Sequence, residues 1–312
     1  MSLQQGSVMI GEQQPHPVNG YTEFLLEAES VMCAPSVIQT ALAGLSRREL
    51  LQVAAGLVAG TALAPPALKA ADEPAVRSIG LSKVMDLTHT LSPKFPVIPI
   101  PGLTFPIKIT AIATLEKFGV YVNKWELMDH NGTHIDAPCH FIAKTQTLEQ
   151  IPVRNLIVPA AVIDISKRAR RDADSAVTID DVKAWEKNHG RLPRGSAVFM
   201  YSGWDVKAGD PQAYLGTDKS NTLHFPGFAE DTCQFLVTER DIAGIGVDTI
   251  SLDIGPDKEF KAHKALLRGN KWGLECVANL SQIPPSGATV FVGATKVEGS
   301  SGGPARLIAC WA

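Results

Sequence analysis

The residues best suited to chemistry lie in one short segment, residues 130–140, whose sequence is HNGTHIDAPCH. Three of the eight histidines of the chain fall within it, at His130, His134 and His140, together with Asp136. Neutral imidazoles and carboxylates are the ligands that suit Zn²⁺ and Mn²⁺. A single histidine is usually structural, but this density of ligand types predicts a metal-binding or catalytic segment.

The local conformation of this segment follows from its small and restricted residues. On a helix, His130 and His134 would share a face, but Gly132 and Pro138 disfavour a helix here. A straight strand would hold the two imidazoles roughly 13 Å apart, too far to share one ion. We therefore expect the chain to turn at Gly132-Thr133, where glycine permits the conformation and the Thr133 hydroxyl can bind the backbone.

A divalent cation at this segment would supply hydrolytic chemistry. Such an ion lowers the pKa of bound water and polarises a carbonyl oxygen, so we expect attack by metal-bound hydroxide. His140 follows Pro138 and is the predicted general base and subsequent acid, because imidazole titrates near neutral pH. Two further residues are predicted to bind substrate: Trp204, which could stack on a flat aromatic ring, and His224, which precedes a Phe-Pro-Gly turn.

The elements that must position these residues alternate between strands and helices. Strand-like runs are predicted at 160–165, 197–201, 242–247, 289–293 and 305–310. Helices are predicted at 179–189, between the capping residues Thr178 and Gly190, and at 229–239. This alternation predicts an α/β domain. Loops rich in proline and glycine are expected at 93–101, 152–159, 284–287 and 299–304, and 205–221 is expected to be a surface excursion, with a lid as one interpretation.

Residues 1–71 are predicted to be a long lead and a signal peptide rather than part of the fold. The pair Arg47-Arg48 precedes an apolar run at 53–64, and Pro65-Pro66 and small residues follow. This order is typical of a twin-arginine-type signal, and the apolar run is shorter than the roughly 20 residues that span a membrane. We expect an exported protein, periplasmic or extracellular, with its folded domain at 72–312; whether Met1 or Met32 is the true start is left open.

The composition limits the possible partners. The chain has 312 residues, 45% of them hydrophobic, and its 29 basic and 32 acidic residues are interspersed, which gives a net charge of −3. A globular domain is expected, with no surface for nucleic acid and a small-molecule substrate that is uncharged or weakly anionic. The five cysteines form no C-x-x-C pair and are expected to be isolated thiols.

Segment 130–140 resembles the H-x-G-T-H-x-D-x-P-x-H signature of the cyclase family, which includes bacterial kynurenine formamidase and isatin hydrolase. The resemblance continues through the mature chain, at 86–89, 202–204, 225–227, 246–253 and 299–306. It implies a swivelling β/β/α-type single domain with a small mixed sheet. It also implies a homodimer or higher homo-oligomer with sites near the interface.

The same resemblance implies a set of metal ligands. His130, His134 and Asp136 would hold one ion, and Asp136 would bridge to a second ion held by His263 and Glu275. Formamidase-like members imply Zn²⁺ and isatin-hydrolase-like members imply Mn²⁺, so the choice of metal and the choice between one and two ions stay open.

The function that follows is metal-dependent hydrolysis of a C–N bond in an amide or cyclic amide, of the aryl-formamide or isatin type. Export favours an external indole-like or cyclic imide compound over the substrate of a housekeeping formamidase. A lyase reaction of the cyclase or dehydratase type, or lactone hydrolysis, would use the same site and is the alternative. A non-catalytic metal carrier is disfavoured because a carrier needs no proton shuttle at His140.

Overall fold

The computed structural model describes residues 81–312, which lie within one compact unit of the chain. The predicted signal segment, residues 1–71, and Cys33 lie outside the described residues. The signal peptide and the start of the domain at residue 72 therefore stay predictions. In the described part, no helix is long and apolar enough to cross a membrane.

The described residues form a mixed α/β domain. Its strands are β1 (Lys83–Asp86), β2 (Lys108–Ala113), β3 (Val122–Glu126), β4 (His134–Asp136), β5 (Ile157–Asp164), β6 (Ala176–Val177), β7 (Ala197–Tyr201), β8 (Gly227–Phe228), β9 (Gly244–Val247), β10 (Trp272–Glu275), β11 (Thr289–Ala294) and β12 (Gly302–Trp311). Its helices are α1 (Leu115–Phe118), α2 (Ser166–Ala169), α3 (Ile179–His189), α4 (Pro211–Leu215), α5 (Glu230–Arg240) and α6 (Lys261–Arg268).

The main sheet closes on itself. Its strands run in the order β1-β12-β11-β5-β7-β9-β10-β4, and β4 pairs back onto β12. The first part of β12, Gly302–Pro304, pairs with β4, and its last part pairs with β1 along the same edge. Parallel pairing joins β5, β7, β9 and β10, while the remaining pairs are antiparallel. The result is a seven-stranded barrel with β1 added at one end.

Alternation along each strand separates two hydrophobic cores, because successive side chains of a strand point to opposite faces. Val158, Ala160 and Val162 of β5 belong to the core inside the barrel. Ala161 and Ile163 belong to the outer core, which packs against helices α3, α5 and α6.

Glycines in β9 make room for aromatic rings inside this small barrel. A Cβ atom on Gly244 would lie 2.2 Å from the Trp272 ring, and one on Gly246 would lie 2.6 Å from the Phe199 ring. Trp272 and Phe199 are both fully buried. These glycines therefore fix how closely β9 approaches β10 and β7.

The predicted α/β class is confirmed, and so are strand β7 and helix α3 with their predicted bounds. The four cysteines in the described part are free thiols, as expected. Short strands such as β4 and β10 were not predicted, nor was the closure of the sheet. Two loop predictions are wrong in part, because β5 already begins at Ile157 and β12 at Gly302.

The interpretation of residues 205–221 as a lid is wrong. Helix α4 lies in this segment and its Tyr214 is fully buried. The Tyr214 hydroxyl donates a hydrogen bond to the backbone oxygen of Asp248 at 3.1 Å. The segment is therefore anchored to the end of β9.

Candidate metal centre

The chain turns sharply at Gly132, as the sequence predicts. Gly132 has a φ of +65°, in the left-handed region that favours glycine. The turn brings the ring centroids of His130 and His134 to 5.1 Å. The Thr133 hydroxyl donates to the backbone oxygen of Cys276 at 2.6 Å and accepts from the His89 amide at 2.9 Å. The turn is thus tied to two distant parts of the chain.

Asp136 lies at the centre of the cluster. It shares a face of β4 with His134, two residues earlier, and it is fully buried. One carboxylate oxygen, Oδ1, lies 2.7 Å from His130 Nδ1 and 3.2 Å from His134 Nε2. The other, Oδ2, lies 3.3 Å from His263 Nε2. One carboxylate therefore faces three imidazoles.

The strand next to β4 and a helix supply the remaining side chains. Glu275 of β10 lies opposite His134 in the antiparallel register, with Oε2 3.5 Å from His134 Nε2. Its Oε1 lies 3.0 Å from Nε2 of His263, which helix α6 supplies. The structure thus brings together the five residues predicted as metal ligands: His130, His134, Asp136, His263 and Glu275.

Each of the three imidazoles in this set has its outward nitrogen bonded to a further group. His134 Nδ1 lies 2.8 Å from the backbone oxygen of Gly132, and His263 Nδ1 lies 2.5 Å from Asp253 Oδ2. His130 Nε2 lies 3.0 Å from Ser301 Oγ. Metal-ligating histidines are held in this way in proteins, with the second nitrogen directed at the ion.

Sequence reasoning missed the contributions of Asp253 and Ser301. Both residues lie within segments that resemble the family, but neither is a neighbour of a histidine in the sequence. Asp253 lies before the loop that leads into helix α6, and His263 lies within that helix. Asp253 Oδ1 also accepts a hydrogen bond from the Ala262 amide. In the sequence, the only indication of these two residues was their position in segments 246–253 and 299–306, which resemble the family.

The donor set fits a divalent cation. His134 Nε2 and Asp136 Oδ2 are buried and have no hydrogen-bond partner among the described residues. Buried polar atoms without partners are rare, and a bound ion is one of the arrangements that explain them. In two groups of three side chains, the ligand atoms lie within 4.8 Å of one another. One group is His130, His134 and Asp136, and the other is Asp136, His140 and His263.

The electrostatics of the site also favour a cation. Burial lowers the pKa of His134, but the nearby carboxylates of Asp136 and Glu275 outweigh it and raise that pKa to about 9. Burial likewise lowers the pKa of His263, but the nearby carboxylates of Asp136, Asp253 and Glu275 outweigh it and raise that pKa well above its usual value. The clustered carboxylates thus attract positive charge to this site.

His140 lies on the open side of the cluster. It ends a short 3-10 turn, Pro138–His140, and stacks on His130 with ring centroids 3.8 Å apart. Burial lowers the pKa of His140 to about 4, against the charge of Asp136 and with the help of the neighbouring histidines. His140 is therefore a neutral imidazole at neutral pH, able to accept a proton.

A cavity of about 520 Å³ opens onto the cluster. His130, His140, His263 and Glu275 form one wall of it. Its other walls are largely apolar: Pro96, Val97, Ile98, Ile100, Leu103, Met128, Phe141, Ile250 and Phe260. Loop 96–104 therefore lines the cavity beside the site, a role that its sequence did not indicate.

The structure does not bring the two predicted substrate-binding residues to this cavity. The indole nitrogen of Trp204 donates to the backbone oxygen of Tyr214 at 2.7 Å, and its ring packs in a hydrophobic cluster that includes Ile250 of the cavity wall, without lining the cavity itself. His224 Nδ1 lies 3.0 Å from Asp174, and its Nε2 lies 3.5 Å from Asp218. Trp204 is thus a core residue, and His224 joins two surface loops.

Known proteins resemble this chain in sequence and in fold. A family model described as "Putative cyclase" matches residues 85–254. Isatin hydrolase of Roseibium aggregatum is 35% identical over 247 residues, which cover 74% of this chain and 92% of the relative. Kynurenine formamidase of Salinibacter ruber is 24% identical over 203 residues, which cover 64% of this chain and 84% of the relative.

A solved structure has the same fold at similar identity. Isatin hydrolase A from Ralstonia solanacearum superposes with a TM-score of 0.70 at 35% identity, covering 74% of this chain and 92% of the neighbour. These matches confirm the predicted family and the predicted class of enzyme, a hydrolase. The chain belongs to the cyclase family of metal-dependent hydrolases.

Proposed function

We propose that this chain, a metal-dependent hydrolase of C–N bonds other than peptide bonds, opens the ring of a neutral aromatic cyclic amide of the isatin type. The observation that carries this proposal is the cavity, which joins an apolar pocket to the cluster of histidines and carboxylates. The resemblance to two isatin hydrolases over most of their length supports it.

The charge of the cavity favours a neutral ring over a charged amino acid. None of the described residues that line the cavity is a lysine or an arginine, and Asp129 adds an acidic group beyond the proposed metal ligands. A substrate carboxylate, such as that of N-formylkynurenine, would lose its hydration there without gaining a cationic side chain. The aromatic rings of Phe141 and Phe260 offer apolar contact to a flat ring instead.

Different residues of the chain would bind the cations and transfer the proton. His130, His134 and Asp136 would hold one cation, and His263 and Glu275, with Asp136, would hold a second. When bound, a divalent cation lowers the pKa of coordinated water and polarises a carbonyl oxygen. His140, neutral because it is buried, would accept the proton of the attacking water and pass it to the ring nitrogen as the C–N bond breaks. Water thus adds across the amide bond and leaves an amine and a carboxylic acid, which releases its proton to solvent as the carboxylate.

The test is a substrate screen of the mature protein loaded in turn with Zn²⁺ and Mn²⁺. Isatin, N-formylkynurenine and an aromatic lactone are compared by the loss of the parent chromophore. We expect isatin to be opened with a higher kcat/KM than N-formylkynurenine. Turnover of the lactone alone would contradict the proposal and favour an esterase-type reaction, and release of water from a hydroxy substrate would favour a lyase.

The metal content follows from the same donor set. We propose two cation positions that share Asp136, with the position at His130 and His134 filled first. Both of its imidazoles come from the turn at Gly132, whereas the second position combines residues from helix α6 and strand β10. Equilibrium dialysis with Zn²⁺ or Mn²⁺ followed by elemental analysis should show two binding steps, and a single step in both metals would contradict the second position.

We also propose that the protein is exported by the twin-arginine route, because Arg47-Arg48 precedes an apolar run and a proline pair. Replacing both arginines with lysine should abolish the appearance of the mature protein in the periplasm of a bacterial host. The variant Arg77→Lys, beyond the apolar run, is the matched control. Undiminished export of the double-lysine variant would contradict this route.

A homodimer is proposed from the hairpin of β2 and β3. These strands pair only with each other within the described residues, and a two-stranded hairpin alone is marginally stable in water. Large apolar side chains nevertheless stay exposed on it, Phe118 at 65% and Trp125 at 66%. A second copy of the chain would cover them.

Light scattering after size exclusion tests the homodimer. Wild type should have twice the mass of the monomer, and the double variant Phe118→Ser, Trp125→Ser should shift toward the monomer. Val206→Ser removes an apolar side chain that is 83% exposed and lies outside the hairpin, and it should leave the dimer intact. A monomeric wild type at all concentrations would contradict the proposal.

A further inference from the structure

Loop 96–104 forms one apolar wall of the cavity, and a tight turn gives the loop its shape. The Leu103 amide donates a hydrogen bond to the backbone oxygen of Ile100 at 3.0 Å. Pro101 and Gly102 occupy the two central positions, and Gly102 has a φ of +77°. Proline followed by a residue with positive φ is typical of a type II turn. The turn therefore places Ile100 and Leu103, which both line the cavity, at its two ends.

The hydroxyl of Thr104 ties this turn to the first half of the loop. It donates a hydrogen bond to the backbone oxygen of Ile98 at 2.7 Å and accepts one from the Ile100 amide at 2.7 Å. A hydroxyl has one proton to donate and lone pairs that accept, so one side chain serves both backbone groups at once. Two parts of the loop that are six residues apart in sequence are thus held together by Thr104.

Both ends of the loop are anchored to buried parts of the domain. Ile98 packs against the hydrophobic cluster that contains Tyr214. The backbone oxygen of Phe105, just after the loop, accepts a hydrogen bond from the side chain of Asn131 at 3.4 Å. Asn131 is buried and directly precedes the turn at Gly132. The loop is therefore fixed at one end to the core and at the other to the metal-binding segment.

Between these anchors, the apolar side chains of the turn stay partly open to solvent. Ile100 is 41% exposed and Leu103 is 66% exposed, although both line the cavity. Such side chains gain burial when an apolar ligand covers them. Holding them in place beforehand reduces the conformational entropy that is lost on binding. The two bonds of Thr104 supply that order.

We infer that Thr104 is a positioning residue for substrate recognition, whose hydroxyl holds loop 96–104 in the conformation that presents Ile100 and Leu103 to the aromatic ring of the substrate. This inference rests on the proposed function, since an apolar wall serves a neutral aromatic substrate. Among the described residues, the Thr104 hydroxyl bonds only to backbone groups of its own loop. Its loss should therefore weaken binding and raise KM, while kcat stays unchanged.

Two variants loosen the loop by different means. Thr104→Val keeps the size of the side chain and removes both bonds, whereas Thr104→Ser restores the hydroxyl. Gly102→Ala strains the turn through its positive φ, and nothing lies within 4 Å of the added methyl group, so no clash accompanies the strain. Thr238→Val is the matched control, because it removes a hydrogen bond of a threonine hydroxyl to a backbone oxygen, at 2.9 Å, in helix α5. Circular dichroism checks that each variant folds.

Two measurements on the mature protein separate the order of the loop from the reaction. Hydrogen–deuterium exchange of the loop, without metal or substrate, reads its order. Steady-state opening of isatin by the metal-loaded protein reads KM and kcat. One hydrogen bond contributes about 2–12-fold to an equilibrium, so Thr104→Val should exchange faster in the loop and raise KM about 5–50-fold. Gly102→Ala should shift both readings in the same direction, and Thr104→Ser and Thr238→Val should behave as wild type does.

Three results would overturn the inference: loop exchange of Thr104→Val equal to that of wild type, a KM within about two-fold of wild type, or a lower kcat at unchanged KM. A wild type that does not open isatin would contradict the proposed function instead. In that case equilibrium dialysis with isatin, comparing wild type and Thr104→Val, replaces the measurement of KM. Equal affinity of the two proteins, including binding by neither, would then overturn the inference.

Discussion

His134 and Glu275 lie directly opposite each other in the antiparallel pairing of β4 with β10. The same register places Asp136 opposite Gly273. His134 and Asp136, the two predicted ligands of β4, are two residues apart and therefore lie on the same face of the strand. A slip of one residue would turn both side chains to the other face of the sheet. The metal centre therefore depends on how β10 is held in the barrel.

The variant Gly244→Ala should disturb this register. Its new Cβ would lie 2.2 Å from the Trp272 ring and 2.4 Å from the Trp272 backbone oxygen, so β10 must move. We expect a loss of about 1–3 kcal/mol in the free energy of unfolding, as for overpacked cores, together with weaker metal binding. Gly209→Ala, where nothing lies within 4 Å of the new atom, is the control for urea unfolding. Equal stability of the two variants would show that β9 does not constrain β10.

The variant His140→Ala separates a base from a ligand. We expect kcat to fall on the order of 10²–10⁴-fold while the metal content is retained, because the proton acceptor is lost and the predicted ligands stay. Steady-state kinetics and elemental analysis of the same sample provide both readings. His189→Ala, at the end of α3, should resemble wild type. A His140→Ala protein that loses its metal would identify His140 as a ligand, which its distance from Asp136 and His263 permits.

Removal of the metal should lower the melting temperature. A ligand that binds only the native state at about 100 times its Kd stabilises it by about 2.7 kcal/mol, and a domain of this size shifts by about 2–4 °C per kcal/mol. Differential scanning fluorimetry before and after treatment with a chelator should thus show a decrease of about 5–10 °C. Restoration by added Zn²⁺ or Mn²⁺, but not by Mg²⁺, completes the measurement. An unchanged melting temperature would contradict a native metal centre.

The ion pair of Glu186 with Arg240 should make stability depend on pH. Burial raises the pKa of Glu186, but hydrogen bonds from Arg240 and from the Leu192 amide outweigh it and lower that pKa below its usual value. The ion pair therefore contributes fully to the stability of the fold above the unfolded pKa of about 4.3. This contribution is lost as the pH falls through the lower pKa of Glu186 in the folded state.

At neutral pH, Glu186→Gln should cost about 1–3 kcal/mol in the free energy of unfolding, as for hydrogen bonds to charged groups. Urea unfolding at a series of pH values should show this difference shrinking below about pH 4. The exposed Glu298→Gln is the control. A difference that grows on acidification would show that the pKa of Glu186 is raised rather than lowered.

The sequence predicted those features that depend on neighbouring residues. The turn at Gly132 followed from glycine and from the spacing of two histidines, and helix α3 followed from Thr178, whose side chain accepts from the Asp181 amide. The α/β class followed from the alternation of strand-like and helical runs. In each case the physical cause lies within a few residues of the feature.

The features that escaped prediction depend on contacts between distant segments. Strand β4 has three residues and β10 has four, too few for a periodic pattern, and each is defined by its pairing with the other. Closure of the barrel requires β12 to pair along both edges, which composition does not encode. From its residue type alone, Trp204 could stack on a substrate or pack in the core. Its hydrogen bond to the backbone oxygen of Tyr214 holds it in the core.

Anomalous diffraction from crystals of the metal-loaded protein shows which side chains bind the metal. Data collected on both sides of the zinc and manganese absorption edges locate and identify each ion. We expect an anomalous peak bound by His130, His134 and Asp136, with His130 contributing Nδ1, the nitrogen that lies next to Asp136. A protein that takes up neither metal, or a peak bound by other residues, would contradict it.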